Sequence, residues 1–299
     1  MTANLDALRV FLKVAELASF TRAAEQLGVG KARASQQLAA LEAQLGVRLL
    51  QRTTRTVRLT ADGEQLLPRA RRLVTDADEL AALFQTGRAL RGVVRVDLPV
   101  GLARDVVIPR LPELLASHPQ LELQLSTTDR LVDVIREGFD CVLRVGALAP
   151  SELTAQRLGV LAMVNCASPA YVKRHGTPRT LADLDHHLVV HYDPALRASR
   201  PTFEHPTADG YAERPMRSAI TVNSADAYRA ACLAGLGIIQ VPRIGVRAAL
   251  EDGALVELLP ELASAPMPVS LLHPHGRAVP KRVRAVLGWL AAVLAPRLG

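Results

Sequence analysis

Leu5, Leu8, Phe11, Leu12 and Ala15 recur along the start of the chain at the spacing of one helix face. A short second helix is predicted over Ala23-Ala24-Glu25-Gln26-Leu27, with Ser19-Phe20-Thr21 offering cap oxygens before it and Gly28 closing it. After the tight stretch Gly28-Val29-Gly30, a longer helix from about Lys31 carries Ala34, Leu38, Leu41 and Leu45 on one stripe and stops at Gly46. The period then changes. Arg55, Val57 and Leu59 alternate, which predicts a small hairpin, or wing, within Leu49–Thr60.

From Thr60, read as an N-cap, a helix is predicted to run to about Gln85. Leu66, Ala70, Leu73, Ala77, Leu80 and Phe84 are spaced 4, 3, 4, 3 and 4 apart, the repeat of a coiled-coil seam. Such a narrow stripe must be covered, and a second copy of the same helix covers it by two-fold symmetry. Packing on the chain's own domain is the alternative. Pro68 conflicts with a straight helix and predicts a kink near its start.

Arg88 to Gly92 reads as a hinge. Beyond it, strands are predicted at Val93–Leu98, Leu121–Ser126 and Asp140–Val145, with helices at Val106–Ser117 and Leu131–Glu137 between them. A second series follows: strands at Leu161–Ala167, Leu188–His191, Ile220–Asn223 and Ile238–Val241, with helices from Pro169 to His175 and from Ala225 to Ala234, the latter capped by Ser224. Strands at Leu255–Leu258 and Val269–His273 precede a final helix, Val279–Leu294. This order predicts an α/β region with a largely parallel sheet, arranged as two lobes in which the first resumes after the second.

Charge sharpens one part of this picture. Residues 1–60 hold nine Lys/Arg against four acids, a net +5 of the chain's +7. Residues 61–90 net −1, and the remainder +3. The excess points to a polyanionic partner for the first part alone. Two helices joined by a glycine-containing turn, the second basic at its start, form the unit that lays a recognition helix in the major groove. Lys31, Ala32, Arg33, Ser35, Gln36 and Gln37 are the outward candidates for base or phosphate contact, joined by Thr21 and Arg22 on the helix before. Arg52, Arg55 and Arg58 on the wing suit phosphates, which give salt-dependent affinity rather than sequence choice.

Other chemistries find less support. Gly-x-Ser-x-Gly does not occur, Gly28-Val-Gly-Lys31 lacks the earlier glycine and following Ser/Thr of a phosphate loop, and Gly235-Leu-Gly237 precedes a strand. His186, His187 and His191, and His273 with His275, lack the Cys or carboxylate that would complete a metal set. Cys141, Cys166 and Cys232 are scattered among apolar residues and read as reduced core thiols. Asp6, Arg9 and Lys13 interrupt any leader-like apolar run, and Ala285–Ala295 is too short to span a bilayer, so a cytoplasmic protein without a membrane partner is expected. A small-molecule-binding or enzymatic α/β protein with a basic interaction domain is the competing class.

The run Phe20-Thr-Arg-Ala-Ala-Glu-Gln-Leu-Gly-Val, then Ser35-Gln-Gln-Leu-Ala-Ala-Leu-Glu42, Leu45-Gly-Val-Arg-Leu-Leu-Gln-Arg-Thr-Thr-Arg and Leu59-Thr-Ala-Asp-Gly63 resembles the LysR-type transcriptional regulators nearly continuously over residues 5–67. Gly30 and Gln36 depart from the family's common Ser and basic residue there. The resemblance implies a winged helix-turn-helix over 1–60, a dimerisation helix over 61–87 and an effector domain over 88–299. That domain would be similar to periplasmic solute-binding proteins, with one lobe at about 92–160 and 268–299 and the other at about 161–267. It implies a non-enzymatic regulator without cofactor or metal. Its partners would be double-stranded operator DNA with two half-sites, a second copy or a tetramer, a small-molecule effector and RNA polymerase.

Carried onto this chain, the effector crevice comprises Val100, Gly101 and Leu102, then Thr128, Asp129 and Arg144, and from the other lobe Tyr192, Asn223, Ser224 and Pro242. Thr128, Ser224 and two helix N-termini suit a carboxylate, so an organic acid is the expected effector; Asp129 opposes it.

Overall fold

The computed structural model describes residues 4–52, 57–82, 90–197, 199–276 and 278–299. Arg55, Phe84 and the start of the expected hinge lie outside the described residues, as does the side chain of Arg52. The backbone divides into two compact units, one over residues 1–88 and 133–138 and one over residues 89–132 and 139–299.

In the first unit, Asn4 caps α1 (Leu5–Leu17) by accepting from the Asp6 amide at 2.9 Å. Ser19 caps α2 (Phe20–Gln26) through the Arg22 amide at 3.3 Å. α3 (Lys31–Leu45) starts at Gly30 without a side-chain cap and ends on Gly46 at φ +71°, a left-handed turn that glycine adopts at little cost. The three helices close on Leu8, Phe11, Val14, Phe20, Ala34, Leu38 and Leu41, all buried.

β1 (Leu50–Arg52) pairs antiparallel with β2 (Val57–Leu59) to make the wing. Two polar side chains fasten it. Glu42 Oε1 accepts from the Leu49 and Leu50 amides at 2.8 and 3.1 Å. Thr60 Oγ1 donates to the Arg48 carbonyl at 2.6 Å and accepts from the Gly63 amide at 3.0 Å, which caps α4 (Ala61–Ala82). A Cβ at Gly63 would lie 2.1 Å from the Leu49 carbonyl oxygen, so only glycine lets this first turn back onto the wing.

α4 runs through Pro68. Its stripe is not one continuous free seam. Ala70 is fully buried and Leu66 packs with it in the core of the first unit, while Leu73 and Leu80 are 51% and 67% exposed. The first two seam positions thus serve their own domain, because this end of the helix lies on α1 and the wing.

The second unit opens with β3 (Arg91–Leu98) and a helical run from Val100 to Ser117. The run comprises α5 (Val100–Leu102), a π turn, a 3-10 turn and α6 (Leu111–Ser117), and starts six residues before the predicted Val106. β4 (Gln120–Thr127), β5 (Cys141–Val145) and β6 (Thr154–Leu161) complete the outward leg. The helix expected at Leu131–Glu137 is a series of turns instead. Asp133 accepts from the Arg136 amide, Glu137 accepts from the Asp133 amide, and Gly138 at φ +71° ends the stretch. Side chains that capture backbone donors compete with helix formation over so short a segment.

The second lobe comprises β7 (Met163–Ala167), α7 (Pro169–His175), β8 (Leu188–Tyr192), the hairpin β9 (Thr202–Thr207) and β10 (Gly210–Pro215), β11 (Arg217–Val222), α8 (Ala225–Leu233), β12 (Ile239–Pro242), α9 (Arg243–Glu251) and β13 (Val256–Glu257). Its strands are ordered β12-β7-β13, antiparallel, beside a parallel β11-β8 pair. The chain then returns through β14 (Met267–His273) and α10 (Lys281–Leu294) to the first lobe.

The first-lobe sheet has the order β4-β3-β5-β14-β6. β3 is parallel to β4 and β5, but β14 is antiparallel to β5 and β6, so the sheet is mixed and not largely parallel. β6 heads toward the second lobe and β14 comes back from it, which fixes their opposite directions.

Candidate functional site

The outward face of α3 is exposed at Lys31, Ala32, Arg33 and Gln36, with Thr21 and Arg22 exposed on α2. Ser35 is half-buried. Gln37 is withdrawn: its Oε1 is buried, and with Gln36 and Gln44 it lines a hollow beside Asn4 and Ala7. Gln37, with its amide oxygen buried, is therefore a poor candidate for base contact, whereas Gln36 stays exposed. Arg58 on β2 is exposed. Thr60 caps α4 as its position predicts, but the hold that Glu42 and Thr60 exert on the wing was not legible in the sequence, because each resembles an ordinary helix or cap residue until the fold places its partner.

Between the two lobes of the second unit lies a cavity of about 960 Å³, lined by Gly101, Leu102, Thr128, Asp129, Arg144, Tyr192 and Pro242 among the predicted positions. Val100, Asn223 and Ser224 do not line it. Val100 and Ser224 act just behind: the Val100 amide donates to Asp129, and Ser224 Oγ accepts from the Ala227 amide as the cap of α8.

Several of the groups expected to receive an organic acid already have partners. Asp129 Oδ1 accepts from Val100 N at 3.2 Å and its Oδ2 from Ala225 N at 2.7 Å, which joins the start of the helical run in one lobe to the start of α8 in the other. Thr128 Oγ1 accepts from the Arg130 amide. Arg144 Nη1 donates to the fully buried Asp97 at 2.8 Å, while its Nη2 is buried without a hydrogen-bond partner among the described residues. Burial lifts the Asp97 carboxyl above its ordinary range in spite of the guanidinium beside it. Arg104 pairs with Asp105 and, across the lobes, with Asp226.

Several lining residues were missed. Gln240 Nε2 donates to Asn165 Oδ1 and the Glu204 carbonyl, and its Oε1 accepts from the Glu204 amide, pinning the β9–β10 hairpin to β12. His191 shares a hydrogen bond with Ser199, whose hydroxyl donates to Asp193. Tyr192 stacks at a tilt on Tyr228, and burial, with the charge of Asp129, pushes its phenol above the usual range. Met163, Val190, Val241 and Met267 supply apolar wall.

Of the other histidines, His187 bonds the Tyr171 hydroxyl, and His273 stacks on His275. Among the described residues, no three His, Cys, Asp or Glu side chains converge as a metal site would require. No helix among them is long and apolar enough to cross a membrane. Cys141, Cys166 and Cys232 are free and buried.

A winged helix-turn-helix followed by a two-lobed domain with a cleft is the build of a DNA-binding regulator that senses small molecules. Residues 5–64 match the bacterial regulatory helix-turn-helix protein model of the lysR family, and residues 87–295 match the LysR substrate binding domain. The chain is 45% identical over 292 residues to the HTH-type transcriptional regulator YhjC of Escherichia coli K12, covering 97% of this chain and 98% of the relative. An HTH-type transcriptional repressor of Pseudomonas aeruginosa (strain UCBPP-PA14) is 34% identical over 98% of this chain and 92% of its own length. The structure of CrgA, a LysR-type transcriptional regulator from Neisseria meningitidis, superposes with a TM-score of 0.62 at 30% identity, covering 97% of this chain and 98% of that one. The chain belongs to the LysR-type transcriptional regulators: it is a DNA-binding regulator with a substrate-binding domain.

Proposed function

We propose that α3 lies in the major groove of an operator, with Arg33 and Gln36 reading base edges, and that Lys31, Ser35, Thr21, Arg22 and the wing arginines Arg52, Arg55 and Arg58 hold phosphates. The observation that carries this reading is the exposed face of Lys31, Ala32, Arg33 and Gln36, set on a rigid three-helix core. Two copies meet along the free part of α4, through Leu73, Ala77 and Leu80, continuing to Phe84, as a homodimer or a pair of such dimers. The same reading places the protein in the cytoplasm, acting on transcription in concert with RNA polymerase.

The lobe cleft takes the effector and catalyses nothing. Its reactive-looking side chains, Arg104, Asp105, Asp226, His191 and Asp193, are engaged with one another, with Ser199 or with backbone. Ligand binding shifts the balance between lobe arrangements and so the spacing of the paired reading heads. The test is a footprint of the full chain on the DNA flanking its own gene. Protection that random DNA competes away equally well overturns sequence-specific reading. A footprint that no small molecule alters overturns control through the cleft.

A further inference from the structure

Arg144 is held from one side only. Its Nη1 donates to the buried Asp97 carboxylate at 2.8 Å and to the Leu143 carbonyl at 3.1 Å, and two acceptors on one nitrogen fix how the guanidinium lies. Nη2 is left at the cavity wall, buried and without a hydrogen-bond partner among the described residues. A buried donor without a partner costs about 1–3 kcal/mol, and more when it is charged. A ligand that brings an acceptor to it removes that cost on binding.

What the wall has used and what it still offers differ in kind. All five lining carboxylates have partners. Asp105 and Asp226 pair with Arg104, Asp129 accepts from two backbone amides, Asp193 accepts from Ser199, and Glu204 accepts from the Ala265 amide. Besides Arg144 Nη2, the Ser264 hydroxyl is buried at the wall with no partner among the described residues. The unmet demand is for acceptors. A guanidinium meets it best with an anionic oxygen, since charge-assisted hydrogen bonds are shorter and stronger than neutral ones. Asp97 does not saturate the guanidinium, because burial disfavours the Asp97 charge. The apolar wall around these groups suits a hydrophobic ligand body.

The structure assigns Arg144 Nη2 as the carboxylate-recognition point of the cleft, and the effector as an acid carried on an apolar body. The assignment rests on the cleft being the effector site. It keeps the organic acid expected from the sequence but moves its contact. Thr128, Ser224 and the helix starts already have partners, and the acid goes instead to the end of β5. Nη2 lies at the wall rather than in open space, so the acid draws the guanidinium forward by rotation about its last side-chain bonds.

The experiment is calorimetric titration of the full chain and of Arg144→Lys with benzoate and 2-naphthoate, each beside its neutral amide. Lysine keeps the charge for Asp97 but has no second nitrogen to present. Both acids should bind the wild type at millimolar concentration and lose roughly ten- to a hundredfold in affinity in the variant, the amides roughly fivefold or less. Acids that bind the variant as tightly as the wild type overturn the assignment, capture by Arg229 on the same wall included. So do acids that fail to bind the wild type, and losses that are equal for acids and amides. If Arg144→Lys does not fold, a crystal structure of the wild-type chain with 4-bromobenzoate decides, its bromine located by anomalous scattering. A carboxylate on Arg144 Nη2 supports the assignment; an ordered water kept there, with the bromobenzoate elsewhere or absent, overturns it. Failure of the cleft as the effector site would look different: the titrations would stand, and the footprint would be indifferent to every acid that binds.

Discussion

Arg33 and Gln36 differ from Arg58 in what their loss can do to DNA binding. Side chains that bond base edges discriminate between sequences, and those on phosphates bind all sequences alike. Arg33→Ala or Gln36→Ala should therefore cost about 1–3 kcal/mol on the operator and much less on random DNA, as read by competition gel shift. Arg58→Ala should weaken both equally and lower the salt slope by about 1; the reverse pattern would exchange their roles. Deep in the first lobe, Arg144→Ala should cost about 3–5 kcal/mol in urea denaturation, since it strands the buried Asp97 carboxylate, and adding Asp97→Asn should restore part of the loss. The pH dependence has a definite sign. Burial raises the Asp97 pKa in spite of Arg144, so the native state keeps that proton to higher pH than the unfolded chain. Its stabilising contribution is present below the ordinary carboxylate pKa and disappears as pH rises through the raised value. Wild-type stability relative to Asp97→Asn should thus fall across that interval in urea melts at stepped pH.

At the scale of elements, α4 has two employments along one stripe. Ala70 is core, and Leu73 and Leu80 are bare. Leu73→Asp or Leu80→Asp should convert dimer to monomer by sedimentation with the reading unit still folded, whereas Ala70→Leu should destabilise that unit by about 1–3 kcal/mol through overpacking. A mutant Leu80→Asp that sediments as wild type would show that the stripe is not the dimer contact. The helices of the reading unit were legible because each carries its own stripe and its own stop, from Ser19 before α2 to Gly46 after α3. The second lobe was read less well. β6, the β9–β10 hairpin and α9 were missed, although Asp209-Gly210 offered a turn signal for the hairpin. Two prolines and a run of charges hide the alternation of β9 and β10, and only the Gln240 contacts with Glu204 reveal why they pair. The segment 131–137 misled for the opposite reason, since it has helix-forming composition but acidic side chains that take its amides. At the interlobe cavity, the chain order pointed to strand ends that line it, but that Asp129 would fill both helix starts is a long-range fact. Val100 and Ala225 are remote from it in sequence.

For the whole molecule, pairing along α4 would impose the partner's two-fold symmetry on the DNA. Two α3 helices would then address half-sites about one helical turn, roughly 34 Å, or a multiple apart. Inserting about five base pairs between half-sites should turn one of them to the far side of the duplex and cost most of the specific affinity, while about ten should restore much of it. A footprint indifferent to both insertions would mean that the heads read independently.

The return of β14 and α10 to the first lobe has a consequence for biosynthesis. The central sheet cannot close until Met267–His273 has emerged from the ribosome to enter between β5 and β6, although its other strands were translated before the second lobe began. The reading head, by contrast, is complete once α4 is out. During each round of translation the nascent chain therefore passes through an interval in which a folded DNA reader is attached to a sensor lobe with an open seam. A chaperone that shields the exposed edges of β5 and β6 would act in that interval, and a stop codon ahead of Met267 would make it permanent.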